Sequence, residues 1–251
     1  MDDWLLILFA SLIGVGSGFL SGMLGIGGGS IRVPLLNLIG FSLIESFAIN
    51  LFVIPFSSLF GAASHYENLD LKLTLSLVIG GCSGTALGIF IALRLSFSSL
   101  VLPIIFLVSS FITVFGLNLY KLSPNFSSKL HPTIFNIIFG GFILNLITGL
   151  KGGSGGSLFA PFMRTLNVDM HKAIAVSLLT TFFTSLVGTM MIYSFQGFTY
   201  GSESFLVAVS SIIGAKLGSV LSLKSKPRFL EIMLSIIVVI LACIPLIKVL
   251  V

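Results

Sequence analysis

Runs of about twenty apolar residues, separated by short polar turns, recur along the chain. They lie near 4–24, 43–64, 71–94 and 99–119, then near 132–150, 171–195, 203–223 and 229–250. Each is long enough to cross a hydrocarbon core of ~30 Å. The pattern predicts an all-α polytopic membrane protein of about eight transmembrane helices, four in each half. Two shorter apolar pieces, 31–39 and 158–166, follow glycine-rich stretches. At ~1.5 Å of rise per residue neither can span a bilayer, so both are expected to be half-helices entered through re-entrant loops.

The two halves are related by sequence. A shift of 127 residues superposes Gly25, Gly28, Gly29, Ser30 and Pro34 on Gly152, Gly155, Gly156, Ser157 and Pro161. The same shift pairs Gly14, Gly22, Ala48, Gly61 and Tyr66 with identical residues at 141, 149, 175, 188 and 193. A shift of 130 then aligns Gly84 and Gly88 with Gly214 and Gly218. The chain is therefore expected to be one membrane domain, 1–251, made of repeats 4–120 and 131–250, as in transporter folds. Four spans per repeat predict parallel halves and both termini on one side. Arg94, Arg164, Lys172, Lys224, Lys226 and Arg228 then oppose Lys72, Lys121, Lys129 and Lys248, which places the termini outside.

Composition agrees with a lipid solvent. Hydrophobic residues make up 56% of the 251 positions and charged ones 8%, with mean hydropathy +1.16; soluble proteins carry about 25% charged residues. The acidic start Met1-Asp2-Asp3 lacks the positive region of a cleaved signal peptide, so the first span is expected to be retained. A net charge of +5 reflects loop lysines and arginines and does not point to nucleic acid. Cys82 and Cys243 fall in apolar segments, where they act as small hydrophobes. No metal or cofactor is expected.

Glycines four apart, at 14, 18 and 22, at 80, 84 and 88, and at 214 and 218, mark close helix contacts. The clusters at 25–29 and 152–156 differ, because consecutive glycines destabilise a helix and serve where backbone must turn or approach something closely. Ser30 and Ser157 stand where helix N-caps belong. Each half-helix would then aim its free N–H groups and positive dipole end at its glycine loop, an arrangement that binds anions. Both loops are expected to meet near mid-membrane, where irregular backbone survives only if covered by protein or lining a cavity.

The paired elements GIGGGSIRVP and GGSGGSLFAP, each followed by an Ala-x-Asn or Ala-x-Ser segment, resemble the TauE/SafE-type sulfite exporter family of membrane permeases over nearly the whole chain. The second copy departs from the pattern at Ser154, where the first has Gly27. The resemblance implies a permease for sulfur-containing anions such as sulfite or organosulfonates, in a prokaryotic cytoplasmic membrane.

Candidate ligand contacts are Gly25, Gly27, Gly28, Gly29 and Ser30, with Gly152, Gly153, Ser154, Gly155, Gly156 and Ser157. Lys151 adds a cation beside the second loop, where the first repeat has Leu24. Asn50 and Ser177 align with each other and could supply side-chain hydrogen bonds, and Thr181, Thr184 and Ser185 extend a polar face on the later helix. Arg32, opposite Phe159, and Lys216, opposite Ala86, are secondary candidates as intramembrane ionisable residues. Glu45, His171 and Lys172 are expected at one surface, and His65, Glu67 and Asp70 in a solvated turn at the other. Two other readings fit fewer residues. Gly152-Gly153-Ser154-Gly155 matches the G-x-S-G pattern of rhomboid-type proteases, with His171 as the only nearby base, and an anion channel would share the same loops. The chain is therefore expected to be a transporter and not an enzyme.

Overall fold

The computed structural model describes residues 3–94, 104, 108, 131–150, 156–197, 201–230, 232, 233, 236 and 240. Helices α1 (Asp3–Leu24), α2 (Gly29–Leu38), α3 (Leu43–Ser64) and α4 (Leu71–Arg94) make up the described first half. A 3-10 turn at Tyr66–Asn68 joins α3 to α4. The second half contributes α5 (Ile134–Leu150), α6 (Gly156–Thr165), α7 (Met170–Gln196) and α8 (Ser202–Lys224). Among the described residues, segments of α1, α3, α4, α7 and α8 are long and apolar enough to cross a membrane, and α5 is a shorter apolar helix. The chain is an all-helical polytopic membrane protein. The predicted span 99–119 and most of 229–250 lie outside the described residues.

Local sequence accounts for the helix starts. Ser42 opens α3 with a capping box: its hydroxyl accepts from the Glu45 N–H at 3.2 Å, and Glu45 Oε2 accepts from the Ser42 N–H at 2.8 Å. Asp169 caps α7 by accepting from the His171 N–H at 2.9 Å, and Gly197 closes it in the left-handed conformation.

The spaced glycines build the two longest helix contacts. Gly14, Gly18 and Gly22 lie on the carbonyls of Val207, Ser211 and Ala215, so that α1 and α8 touch backbone to backbone. From the other helix, Gly214 and Gly218 face the carbonyls of Val15 and Phe19. Gly80, Gly84 and Gly88 of α4 lie in the same way on Ile138, Phe142 and Leu146 of α5. Both contacts advance in one sense, so each pair is parallel. Ser211 and Ser219 add hydrogen bonds from α8 to the carbonyls of Gly14 and Gly22, at 3.1 and 3.3 Å.

The neighbours of each helix exchange when α1–α4 are swapped for α5–α8. Thus α1 packs on α8 as α5 packs on α4, α3 packs on α8 as α7 packs on α4, and α3 and α7 pack on each other. The sense of the second half differs from expectation. Gly61, near the end of α3, meets Leu178 near the start of α7, whereas Leu51 near the start of α3 accepts from Thr189 Oγ1 at 2.8 Å. Lys172 Nζ lies 3.6 Å from Asp70 Oδ2. The corresponding helices α3 and α7 are antiparallel, so the axis relating the halves runs across them, and the repeat is inverted rather than parallel.

A hairpin explains the reversal. Leu36 of α2 shares a core with Ala10 and Ile13 of α1, while Ile31 clusters with Met23 and Leu24. Helix α2 therefore returns toward the face from which α1 came. With α1 as a full crossing each half has an even number of spans; α1 and α2 together make no net crossing, and the parity changes. Lys72, His65 and Asp70 consequently share a face with His171, Lys172 and the end of α8. His65 is itself buried, not solvated, and burial pushes its imidazole down to about 4, offset in part by the Gly22 backbone, with His171 adding the smallest, downward, contribution.

The glycine contacts predict a sharp positional contrast. Gly18→Leu and Gly84→Leu drive a side chain into a backbone carbonyl and should destabilise the protein at or above the upper end of the ~1–3 kcal/mol usual for overpacking. Gly16→Ala meets nothing within 4 Å and should leave the unfolding midpoint in detergent unchanged.

Candidate functional site

Between α1 and α2 the backbone turns through three left-handed glycines, Gly25, Gly27 and Gly28, with φ of 73, 68 and 76°. Side chains other than glycine rarely adopt this region. The turn is also crowded. A Cβ on Gly25 would stand 3.1 Å from Ile174 Cα of α7. One on Gly28 would stand 2.9 Å from Arg32 Nη2, and one on Gly29 would stand 2.8 Å from Asn50 Nδ2.

The start of α6 closes on this turn. A Cβ on Gly156 would fall 2.7 Å from the Ile26 carbonyl and 2.9 Å from the Gly27 nitrogen. The Ser177 hydroxyl donates to the Gly25 carbonyl at 2.6 Å and lies 3.3 Å from that of Gly156. Elements of both halves thus meet, Gly156 against the Ile26–Gly27 backbone and the Ser177 hydroxyl between the Gly25 and Gly156 carbonyls. Ser177 is their clamp, its proton committed to backbone.

Helix α2 starts earlier than its serine suggested. Gly28 is the N-cap, without a side-chain hydrogen bond, and Ser30 falls in the first turn. Likewise α6 begins at Gly156, which puts Ser157 inside the helix and buried. A left-handed glycine leads the chain into the helix directly, so no hydroxyl is required to cap it.

Arg32 is the centre of the polar cluster. It is fully buried, at 0% exposure. Its Nε donates to Ser17 Oγ at 3.1 Å, Nη1 to Asn50 Oδ1 at 2.9 Å, and Nη2 to Ser211 Oγ at 3.2 Å. Ser17 and Ser211 both donate onward to the Gly14 carbonyl, at 3.2 and 3.1 Å. Among the described residues no carboxylate pairs with the guanidinium. Asn50, also fully buried, leaves its Nδ2 without a partner. Asn50 is eight residues into α3 and Ser211 ten into α8, which at ~1.5 Å per residue sets the cluster roughly 12–15 Å inside the helix ends.

The matching place in the second half is apolar. Phe159 stands where Arg32 does and packs with Leu77, Ile137 and Met163. Its ring edge lies 3.2 Å from where a Cβ of Gly81, the counterpart of Ser211, would be.

The other expected site residues divide cleanly. Lys151, Gly152, Gly153, Ser154 and Gly155 lie outside the described residues. Lys216 is exposed on the outward face of α8, with Ile213, Leu217 and Val220, a position from which a lysine snorkels to the interface. Thr184 and Ser185 donate to carbonyls of their own helix, at 3.3 and 3.0 Å, while the buried Thr181 hydroxyl has no partner. Ser17 and Ser211 were not foreseen, because only the folded chain brings them to Arg32.

Comparison with known proteins follows the same outline. Residues 10–244 match the model of the family described as sulfite exporter TauE/SafE. The "Probable membrane transporter protein YjnA" of Bacillus subtilis is 27% identical over 248 residues, covering 91% of this chain and 95% of that protein. The "Probable membrane transporter protein MJ0441" of Methanocaldococcus jannaschii is 26% identical over 259 residues, covering 92% of each.

The Ser177 clamp can be tested by stability alone. Ser177→Ala strands the buried Gly25 carbonyl and should cost about 1–3 kcal/mol. Ser185→Ala removes a hydroxyl bonded only to its own helix, and should shift the thermal unfolding midpoint far less.

Proposed function

We propose, from the premise that the chain belongs to the TauE/SafE sulfite exporter family, that this membrane transporter carries small oxyanions, sulfite and organosulfonates first among them, and binds them at the Gly25–Gly29 turn. The observation that carries the reading is Arg32. Removing a lone guanidinium from water costs several kcal/mol unless something compensates. Ser17, Asn50 and Ser211 satisfy hydrogen bonds but bring no charge, so an anion entering the cluster would supply what is missing. It would also meet the positive end of α2 and the free Asn50 amide.

Gly25, Gly27, Gly28 and Gly29 then serve by having no side chains, and Ser177 by holding the two halves together at the turn. Gly156 and Ser157 stand beside it from the second half. Lys151, with Gly152, Gly153, Ser154 and Gly155, is proposed to complete the site from the second glycine loop. Transport would proceed by movement of one inverted half against the other, exposing the turn to alternate faces.

Charge supports an orientation. Among the described residues outside the helix interiors, Lys72, Arg164, Lys172, Lys224, Lys226 and Arg228 lie at the face shared by His65 and the end of α8. Arg94 lies at the other. The excess makes the first face cytoplasmic, which puts the N-terminus outside.

Two measurements follow. In proteoliposomes offered sulfite, thiosulfate, sulfonates and carboxylates, Arg32→Gln should raise the half-saturation concentration about 10- to 150-fold, the value of a charge-assisted hydrogen bond of ~1.5–3 kcal/mol. Arg32→Lys should restore it only in part, because a compact ammonium does not reproduce the planar fork that reaches Ser17, Asn50 and Ser211 together. An unchanged value in the Gln variant removes Arg32 from the site. In intact cells, with Cys82 and Cys243 replaced by alanine, an impermeant thiol reagent should label Asp2→Cys and spare Arg228→Cys; the reverse pattern inverts the orientation.

A further inference from the structure

His65 is the C-cap of α3 and lies fully buried where the two halves meet. Neither of its ring nitrogens has a hydrogen-bond partner, although buried polar groups are as a rule bonded. Two groups act on the ring: the Gly22 backbone near the end of α1, and His171 in the first turn of α7. The Nδ1 of His171 is likewise buried and without a partner. Two imidazoles, one from each half, thus face this boundary with unused nitrogens.

The other charged groups at this face are engaged elsewhere or stand further out. Glu67 accepts from the Tyr66 hydroxyl at 2.9 Å, Asp70 pairs with Lys172 across the boundary at 3.6 Å, Asp169 caps α7, and Arg164 donates to the Val168 carbonyl at 3.2 Å. Lys72 at the start of α4, Lys224 at the end of α8, and Lys226 and Arg228 beyond it complete the set. His171 is the one among them whose charge bears on His65.

The pair stands at the foot of an apolar plug. Ala62 of α3 and Met170, Ile174 and Leu178 of α7 form it with Met23 and Ile26 of the first half, and Ile174 Cα is the atom 3.1 Å from the Gly25 Cβ position. The plug therefore reaches from the histidines to the glycine turn. At the opposite face the repeat puts Ile192 in the place of His65 and Ile44 in that of His171. There α7 meets α3 through Ile192 with Ala48 and Leu51, an apolar contact.

We infer that His65 is a proton-binding site that works one gate of the transporter: a proton on this imidazole, beside His171 of the other half, parts α3 from α7 and opens the way to the turn from this face alone. The inference rests on movement of one half against the other and holds whatever solute is carried. Burial keeps the imidazole down at about 4, against ~6.5 for one in water. The packed state binds the proton poorly, and a state that admits water to His65 binds it well. Packing is thus favoured in full above ~6.5, and that preference drains away as the pH falls from ~6.5 toward 4. A proton on His171 as well would add repulsion across the same boundary.

The test uses the full-length protein in nanodiscs, without solute, with Cys82 and Cys243 replaced by alanine. A methanethiosulfonate reagent is applied to Ala62→Cys in the plug, and its rate is divided by that of Glu67→Cys, exposed on the 3-10 turn, which cancels the pH dependence of the thiol itself. The ratio should rise about tenfold between pH 7.5 and 5.5, the gain in open population for one pH unit below ~6.5. It should stay level in His65→Gln and keep its rise in His171→Gln. A level ratio with both histidines present overturns the inference, as does a rise that survives His65→Gln. A ratio that falls on acidification makes the proton a clamp shared by the two imidazoles, and overturns it too. Should His65→Gln fail to fold, histidine-labelled native protein decides by NMR, since the chain has three histidines, at 65, 131 and 171. One imidazole should titrate below the ordinary ~6.5; three at or above that value overturn the inference.

Discussion

A charge inside a hydrocarbon slab must be held by groups that are themselves held, and in this protein the holding begins at the Gly14 carbonyl. Two serines, Ser17 from α1 and Ser211 from α8, donate to that oxygen and turn their own oxygens to Arg32. The arrangement needs α1 and α8 at backbone contact, which Gly14, Gly18 and Gly22 permit because they have no Cβ. Without that approach Ser211 could not share the carbonyl. The helix packing and the electrostatics of the site are in this sense one feature.

The break between α1 and α2 depends on the same economy of side chains. Backbone that leaves the helix in lipid needs cover, and here Gly156 and Ile174 of the second half lie against it. Ser177 ties the turn down by one strong hydrogen bond. An inverted second half brings α6 and α7 to the turn from the opposite direction, so the cover belongs to a different unit from the chain it covers.

The two halves are alike in packing and unlike in chemistry. The glycine contacts of α1 with α8 and of α4 with α5 repeat closely. At the centre, however, one half has Arg32 with Ser17, Asn50 and Ser211, and the other has Phe159 against Gly81. Burying one guanidinium can be offset by one anion; two, facing each other across the same turn, would repel in a low dielectric. The apolar replacement keeps the scaffold and removes that repulsion.

The amino-acid sequence alone determined the class of this protein and the place near Gly25–Gly29 where its backbone turns. Composition decides the solvent, and the left-handed backbone at Gly25, Gly27 and Gly28 favours glycine, so these signals are local and readable. Arg32 and Asn50 could be marked as polar residues in apolar segments. Only the tertiary structure decided that they meet, and that Ser211, 179 residues from Arg32, joins them. It also decided the sense of the second half, because a helix that turns back and one that crosses have the same hydropathy. What separates them is the core that Leu36 shares with Ala10 and Ile13, a contact between segments whose apolar residues carry no mark of their partners.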